Sequence, residues 1–442
     1  MRELRRGMTP TAEKSNGNHR AKRLWTRYCI RPFARVGPGL ITGVADDDPS
    51  GIATYSQAGA RFGLNILWTM LLTFPLMAAV QYMCGLIGRV TGKGLAANMK
   101  AAFPLPMVRT IVVLLLIANT LNIAADVAAM GEVAELVTGI HRQLLSAAVV
   151  FVTLGLQLFV PYHRYVRFLK WLTLSLLAYV AVLFTVHIPW MEVLRRTVWP
   201  HFSFDGDGAS VVVAVFGTTI SPYLFFWQAS EEVEEMQVAP VSQPLVDNPQ
   251  RAGKELRRIR WDTVTGMFFS DITAYFIILA TALTLHTSGV KDIDTAAKAA
   301  SALKPLAGNF AYFLFALGIL GVGLIGVPVL AGSAAYAAAE TMGWREGLER
   351  DTRDARGFYG VIAVSVLAAL ALQYSPISPM KALFWSAVIN GVVAVPMLVV
   401  LILLVSKKSV MGKFTASRRI VVLGWITAGI MGAAAIRMFF PG

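Results

Sequence analysis

Apolar residues along this chain gather into long runs separated by short polar and basic stretches. Crossing a hydrocarbon core about 30 Å thick takes about 20 residues of helix. Runs of that length with few charges fall near 38–60, 64–88, 108–138, 144–160, 165–188, 209–228, 262–286, 308–338, 358–374, 381–405 and 419–439. The pattern predicts about eleven spanning helices and an all-α membrane protein. Residues 1–37 do not share it. They are polar and basic and lack the short apolar run of a cleaved signal peptide, which predicts a cytoplasmic tail over 1–37 and a transmembrane domain over 38–442.

Composition agrees with the pattern. The chain has 442 residues, of which 56% are hydrophobic and 15% charged, and its mean hydropathy is +0.59. A soluble domain carries nearer a quarter of charged residues. With the tail inside, the loops bearing Lys93 and Lys100, then His163, Arg164, Arg167 and Lys170, then Arg251 to Arg260, then Arg345 to Arg356, then Lys407 to Arg419, all fall on the same side. This is the positive-inside arrangement of a multi-pass protein of the plasma (inner) membrane, and an odd number of spans puts the C-terminus outside. The same basic loop ends account for the net charge of +14: their partners are anionic lipid headgroups. No nucleic-acid recognition module accompanies the charge, and no obligate protein partner is evident. Cys29 and Cys84 are too few for a disulfide framework or a thiolate metal site. No glycine-rich stretch has the strand-to-helix context of a phosphate loop, and no Ser-His-Asp set can be proposed, so neither an enzyme nor a cofactor is expected.

Two spans are interrupted. The first contains GLITGVADDDPSGIATYSQAGARFG, with three aspartates, a proline and a glycine inside an apolar stretch. A carboxylate at mid-bilayer costs about 2.5 to 3.5 kcal/mol, so such groups face a cavity and mark an ion path. Pro49 and Gly51 break the helical ladder and free carbonyl groups. The sixth span repeats the device in AVFGTTISPYLFFWQAS, through Gly217, Thr218, Thr219, Ser221 and Pro222. The two breaks stand five spans apart, in the first and the sixth, as in an inverted repeat whose halves cover about 38–188 and 209–405, followed by an extra helix near 419–439. Exposed carbonyl oxygens at broken helix ends suit a cation. One turn cannot aim three adjacent side chains at one point, so Asp48, directly before the proline, is the expected ligand, with Asp46 and Asp47 lining the entrance.

Other polar residues fall at membrane depth. Asn122 and Asp126 lie four apart on one helix face, as a relay or vestibule pair or a packing contact. Asp271, in FFSDITAYF, is another intramembrane carboxylate, a candidate for the site or a gate. Asn390 lines the pocket or bonds between helices. Glu231, Glu232, Glu234 and Glu235 have the pattern of a solvated acidic helix end that also attracts leaving cations. The small residues from Gly321 to Ala339 predict close helix packing.

The chain resembles the natural resistance-associated macrophage protein (NRAMP) family of divalent-metal transporters. The likeness is carried by GPG at Gly37 to Gly39, the break at Asp48 to Gly51, AGARFG at Ala58 to Gly63, VTGKGLA at Val90 to Ala96, the Ser221-Pro222 break and the number of spans. The resemblance implies a LeuT-like fold of two inverted five-helix repeats plus an eleventh helix, with metal bound between the unwound parts of helices one and six. The departures bear on the ion. Where the family has Asp-Pro-Gly-Asn, this chain has Asp48, Pro49, Ser50 and Gly51; where the family has Met-Pro-His, it has Ser221, Pro222 and Tyr223. An amide and a thioether are therefore replaced, and the thioether is what favours softer transition metals. The implied donors are hard oxygens: the Asp48 carboxylate, the Ser221 hydroxyl, carbonyls near Ala45 and Thr218, and water. Gly51 and Ser221 leave room for hydration. Such a set suits Mg²⁺ or Mn²⁺ and is similar to the family's magnesium-transporting branch.

The family's relay pairs Asp with Glu three positions on; here Asp126 is followed by Ala129, and the helix-six histidine is Tyr223. Passive, voltage-assisted uptake is expected rather than tight proton symport. The alternatives are a proton-coupled Mn²⁺ or Fe²⁺ importer and a LeuT-like organic-solute transporter. Against the second of these, Asp48 would repel a substrate carboxylate.

Overall fold

The computed structural model describes residues 38–160, 172–200, 206–238, 243–348, 350–371, 373 and 376–440. The N-terminal tail, Cys29 and the beginning of the fifth span lie outside the described residues. Among the described residues, 8 helices are long and apolar enough to cross a membrane, and Arg356–Ala371 is a shorter apolar helix. The difference from about eleven has a physical reason. The first span is two half-helices, each too short to count, and the described part of the fifth is the short 3₁₀ and α pair Leu172–Leu176 and Leu177–Val182.

In chain order the main helices are α1 (Pro38–Asp46), α2 (Pro49–Phe62), α3 (Trp68–Thr91), α4 (Leu95–Ala102), α5 (Leu105–Thr138), α6 (Arg142–Phe159), α7 (Gly206–Thr219), α8 (Pro222–Val238), α9 (Ala252–Thr281), α10 (Ala311–Met342), α11 (Arg356–Ala371), α12 (Pro379–Ser406) and α13 (Arg418–Phe439). The 34-residue α5 and 32-residue α10 pack along one another. The broken pairs lie beside them: α1 runs along α9, α7 along α12, and α8 along α3.

Apolar residues face both ways, as expected when the outer solvent is lipid. Phe159 and Phe184 are 83% and 88% exposed, while Trp227, Tyr55, Tyr223 and Phe216 are fully buried. Pro75, Pro328 and Pro396 stand inside long helices, tolerated because neighbouring helices satisfy the freed backbone groups.

The half-helix α1 is fixed along α9 at successive turns. A Cβ on Gly39 would lie 2.7 Å from the Thr263 nitrogen, and one on Gly43 would lie 2.3 Å from the Gly266 carbonyl oxygen. Only glycine permits that approach. The Asp262 carboxylate accepts from the Gly39 N–H at 2.7 Å, satisfying one of the free donors at the α1 N-terminus, and Thr42 donates to the side-chain Oε1 of Gln228 on α8 at 2.5 Å.

Ion pairs gather at the end of the bundle where α3 finishes and α9 begins. Arg258 reaches Glu232 at 2.7 Å, Glu235 at 2.9 Å and Glu255 at 3.2 Å, and Arg89 reaches Glu255 at 3.0 Å. Glu232 is fully buried while Glu235 is exposed, so the acidic end of α8 is solvated only in part. Arg258 of α9 neutralises it, and Arg89 of α3 pairs with Glu255 beside it. Glu234 is taken up likewise, accepting from the Tyr336 hydroxyl and the Leu348 N–H.

Candidate functional site

Both interruptions follow from backbone arithmetic. Proline has no N–H, so Pro49 cannot bond the carbonyl four residues back, that of Ala45, and Pro222 cannot bond that of Thr218. The helices stop accordingly: α1 ends at Asp46 and α2 starts at Pro49, while α7 ends at Thr219 and α8 starts at Pro222. Asp48 is the N-cap of α2. Its backbone is extended (φ −74°, ψ 171°), its Oδ1 accepts from the Gly51 N–H at 2.8 Å, and Pro49 fills the first helical position.

The two breaks meet. The Tyr223 hydroxyl, one residue into α8, donates to the freed Ala45 carbonyl at 3.2 Å and lies 3.4 Å from Asp48 Oδ2. The same oxygen accepts from Asn122 Nδ2 on α5 at 3.0 Å, and Asn122 Oδ1 in turn accepts from the Ser386 hydroxyl on α12 at 2.7 Å. Ser50 donates to Asp48 Oδ1 at 2.6 Å. Asp48 is thus 1% exposed and surrounded by neutral donors. No cation partners it: among the described residues, no Lys, Arg or His pairs with Asp46, Asp47, Asp48, Asp126 or Asp271. Three neutral donors, with the Tyr223 hydroxyl beside them, hold a carboxylate ready to neutralise an incoming positive charge, whereas a lysine or arginine would already have done so.

The other predicted residues divide into those that reach this centre and those that do not. Thr218 does: its Oγ1 is buried without a hydrogen-bond partner, and a Cβ on Gly51 would lie 3.2 Å from it. The Ser221 hydroxyl donates within its own helix, to the Gly217 and Thr218 carbonyls at 2.8 Å each, leaving its lone pairs as the part that can serve an ion. Asp126 is fully buried and has no hydrogen-bond partner at either oxygen. Asn390 is 1% exposed with its amide unsatisfied, on α12 one turn from Ser386. Asp46 and Asp47 are buried. They turn to α9, where the Ser270 hydroxyl lies 2.6 Å from Asp46 Oδ2 and 3.1 Å from Asp47 Oδ1. Asp271, beside Ser270, accepts from Thr73 at 3.0 Å.

Ser50, Ser386 and Gly326 were not singled out from the sequence. Ser50 belongs to the break motif and was legible there. Ser386 lies 264 residues from the asparagine that it holds, and nothing local marks it. At Gly326 on α10 a Cβ would lie 3.1 Å from the Asp48 Cβ, so this glycine sets how closely α10 approaches the carboxylate. A cavity of about 190 Å³, lined by Ala124, Ala125, Ala128, Arg142, Gln373, Trp385 and Ser386 among others, reaches the outer member of the Ser386–Asn122–Asp48 chain. Among the described residues, no three carboxylate, imidazole or thiol groups close around one point as a preformed metal cage would.

The family model for natural resistance-associated macrophage protein-like (Nramp) proteins matches residues 39–441. The chain belongs to the Nramp family. It is 27% identical to the divalent metal cation transporter MntH of Bradyrhizobium diazoefficiens, over 92% of this chain and 88% of that one. It is 24% identical to MntH of Klebsiella pneumoniae, over 90% and 92%. Among solved structures, a manganese transporter of Eremococcus coleocola superposes with a TM-score of 0.72 at 17% identity, covering 91% of this chain and 85% of that one. The nucleobase-cation-symport-1 family transporter Mhp1 superposes with a TM-score of 0.55 at 13% identity, covering 91% and 92%. The Nramp chain is an integral membrane protein with the LeuT-like fold, two inverted five-helix repeats and an added helix.

Proposed function

We propose that this Nramp protein carries divalent cations, Mg²⁺ or Mn²⁺ with part of the hydration shell retained, through a site centred on Asp48. The ion is held by the Asp48 carboxylate, the freed carbonyls of Ala45 and Thr218, the Ser221 hydroxyl and water. Gly51 provides the space, and Asn122 and Tyr223 orient the carboxylate. One observation carries the reading. A buried carboxylate with no counter-ion among the described residues stands where two interrupted helices meet, beside a carbonyl freed by proline. The named relatives, which transport divalent metal cations or manganese, support the substrate class. The narrowing to hard ions rests on the donors: all are oxygen, and Mg²⁺ is commonly held by one or two carboxylates while keeping several waters.

Transport is passive and driven by the membrane potential, because Asp126 has no acidic partner at Ala129 and Tyr223 stands in the place of a histidine. The N-terminus and the end bearing Arg89 and Arg258 are cytoplasmic, and the C-terminus is outside. In sealed proteoliposomes, Mg²⁺ and Mn²⁺ should enter down an inside-negative potential without stoichiometric acidification, and Asp48→Ala should reduce uptake to that of empty vesicles. Cd²⁺ entry as strong as that of Mg²⁺ overturns the selectivity, and one proton entering per ion overturns the passive mechanism.

A further inference from the structure

The mechanism above gives no role to Asp46, Asp47 and Asp271. Asp46 and Asp47 belong to the same interruption as Asp48 but face a different helix, and both converge on Ser270 of α9. Asp48 instead bonds to α5 and α8. Ser270 has one hydroxyl hydrogen and two carboxylate oxygens within reach, so it donates to one and leaves the other facing an oxygen lone pair. Asp46 is fully buried and its Oδ1 has no hydrogen-bond partner. Asp271 follows Ser270 directly and is bonded to Thr73 of α3 at 3.0 Å.

A second, independent group points to the same place. The hydroxyl of Tyr55, on α2, is fully buried and has no hydrogen-bond partner. Its ring edge and the Asp46 carbonyl oxygen both lie within 3.6 Å of the position that a Cβ on Gly51 would take. Buried polar atoms are almost always partnered, and buried like charges gathered in one place need a counter-charge.

We propose that Asp46 and Asp47, with the Ser270 hydroxyl, form a second cation site on the α9 side of the first break, taking a hard divalent ion that keeps part of its water. Two direct carboxylates and a hydroxyl fit such an ion without a closed cage. Asp271 and Tyr55 act through that water, the first as added negative charge and the second as a hydrogen-bond partner. No sulfur or imidazole donor is present, so soft metals are disfavoured. An ion here also screens Asp48 from its two acidic neighbours, which lets one turn of chain carry three carboxylates.

The test is a count of bound Mn²⁺. Full-length protein in nanodiscs is titrated with Mn²⁺ alone, and the free ion is followed by its paramagnetic resonance signal. The wild type should bind two ions, Asp46→Asn and Asp48→Asn one each, and the double variant none. A wild type that binds one ion, lost in Asp48→Asn and kept with unchanged affinity in Asp46→Asn, overturns the second site and leaves the Asp48 reading standing. One ion kept in Asp48→Asn and lost in Asp46→Asn supports the second site and overturns the Asp48 reading instead. If Asp46→Asn does not fold, Ser270→Ala replaces it. It should weaken one of the two sites about tenfold, and unchanged affinity at both overturns the proposal.

Discussion

At the scale of single residues, the candidate site consists of groups that proline has freed from the helical ladder and that neighbouring side chains partner instead. Tyr223 is the instructive case. The sequence marks it only as the place where the family's histidine is missing, yet its hydroxyl joins the two breaks by reaching both the Ala45 carbonyl and Asp48. A neutral hydrogen bond is worth about 1 kcal/mol net, and more when one partner is charged. Tyr223→Phe should therefore weaken Mn²⁺ binding about three- to tenfold in a titration while the fold survives, because the ring keeps its packing. Gly51 makes the opposite point. The family's asparagine at this position would add an amide ligand, but here a Cβ would lie 3.2 Å from Thr218 Oγ1. Gly51→Asn should lower the rate of Mg²⁺ uptake without gaining the family's ligand geometry, and Gly51→Asn/Thr218→Ala should recover part of the loss. Equal rates in both variants would remove the steric argument. Asp48, Gly51 and Pro49 were legible in the sequence because each violates a local rule of membrane helices. Ser386 and Gly326 were not, since what matters about them is which helix they face.

At the scale of elements, the half-helix α1 is the piece whose attachments explain most. Nine residues of isolated helix do not hold together by propensity alone; neighbours fix this one. Its stripe of Gly39, Gly43 and Asp46 lies on Thr263, Gly266 and Ser270 of α9, and Asp262 caps its first turn. The sequence showed the break, but it did not show this stripe, because glycines spaced by four are common in membrane helices and the partner lies more than 200 residues away. Loss of an N-capping carboxylate costs about 1 kcal/mol. Asp262→Ala should therefore raise the open population of this segment about fivefold, read as faster amide hydrogen exchange over residues 38–46 with exchange in α5 unchanged. Uniform acceleration would mean that Asp262 supports the whole fold instead. The short α4 is held in the same manner. Glu340 of α10 accepts from the Ala97 N–H at 2.8 Å and from Ser230 of α8 at 3.1 Å, which gives the VTGKGLA stretch a structural reason: it places a helix N-terminus against a carboxylate.

At the scale of the whole molecule, the two broken helices meet at Tyr223 and Asp48, and three acids of the second repeat gather at the end of the bundle proposed as cytoplasmic. There Glu340 of α10, Glu234 of α8 and Glu346, just beyond α10, lie close enough to repel one another. Burial pushes the Glu346 carboxyl up to about 9, with the charges of Glu340 and Glu234 adding to the effect and Arg350 opposing it. A carboxyl raised this far holds a proton at neutral pH while the parts stay together, and gives it up when they separate and its value returns toward 4.5. The closed arrangement binds the extra proton. Its stabilisation is therefore complete below about pH 4.5 and is lost as pH climbs toward 9. Opening at this end should become easier on the alkaline side, where three carboxylates must otherwise remain charged together. A fluorophore attached near Leu348 in nanodiscs should show water access rising between about pH 7 and 9.5, and Glu346→Gln, neutral throughout, should flatten the curve while leaving Mn²⁺ binding at Asp48 as it was. A curve of the same shape in Glu346→Gln would assign the dependence to Glu340 or Glu234. All three acids lie in the second repeat, but Glu340 also accepts from the Ala97 N–H in the first, so an opening at this end that breaks that bond moves one repeat against the other, which is the motion that an alternating-access transporter of this fold makes.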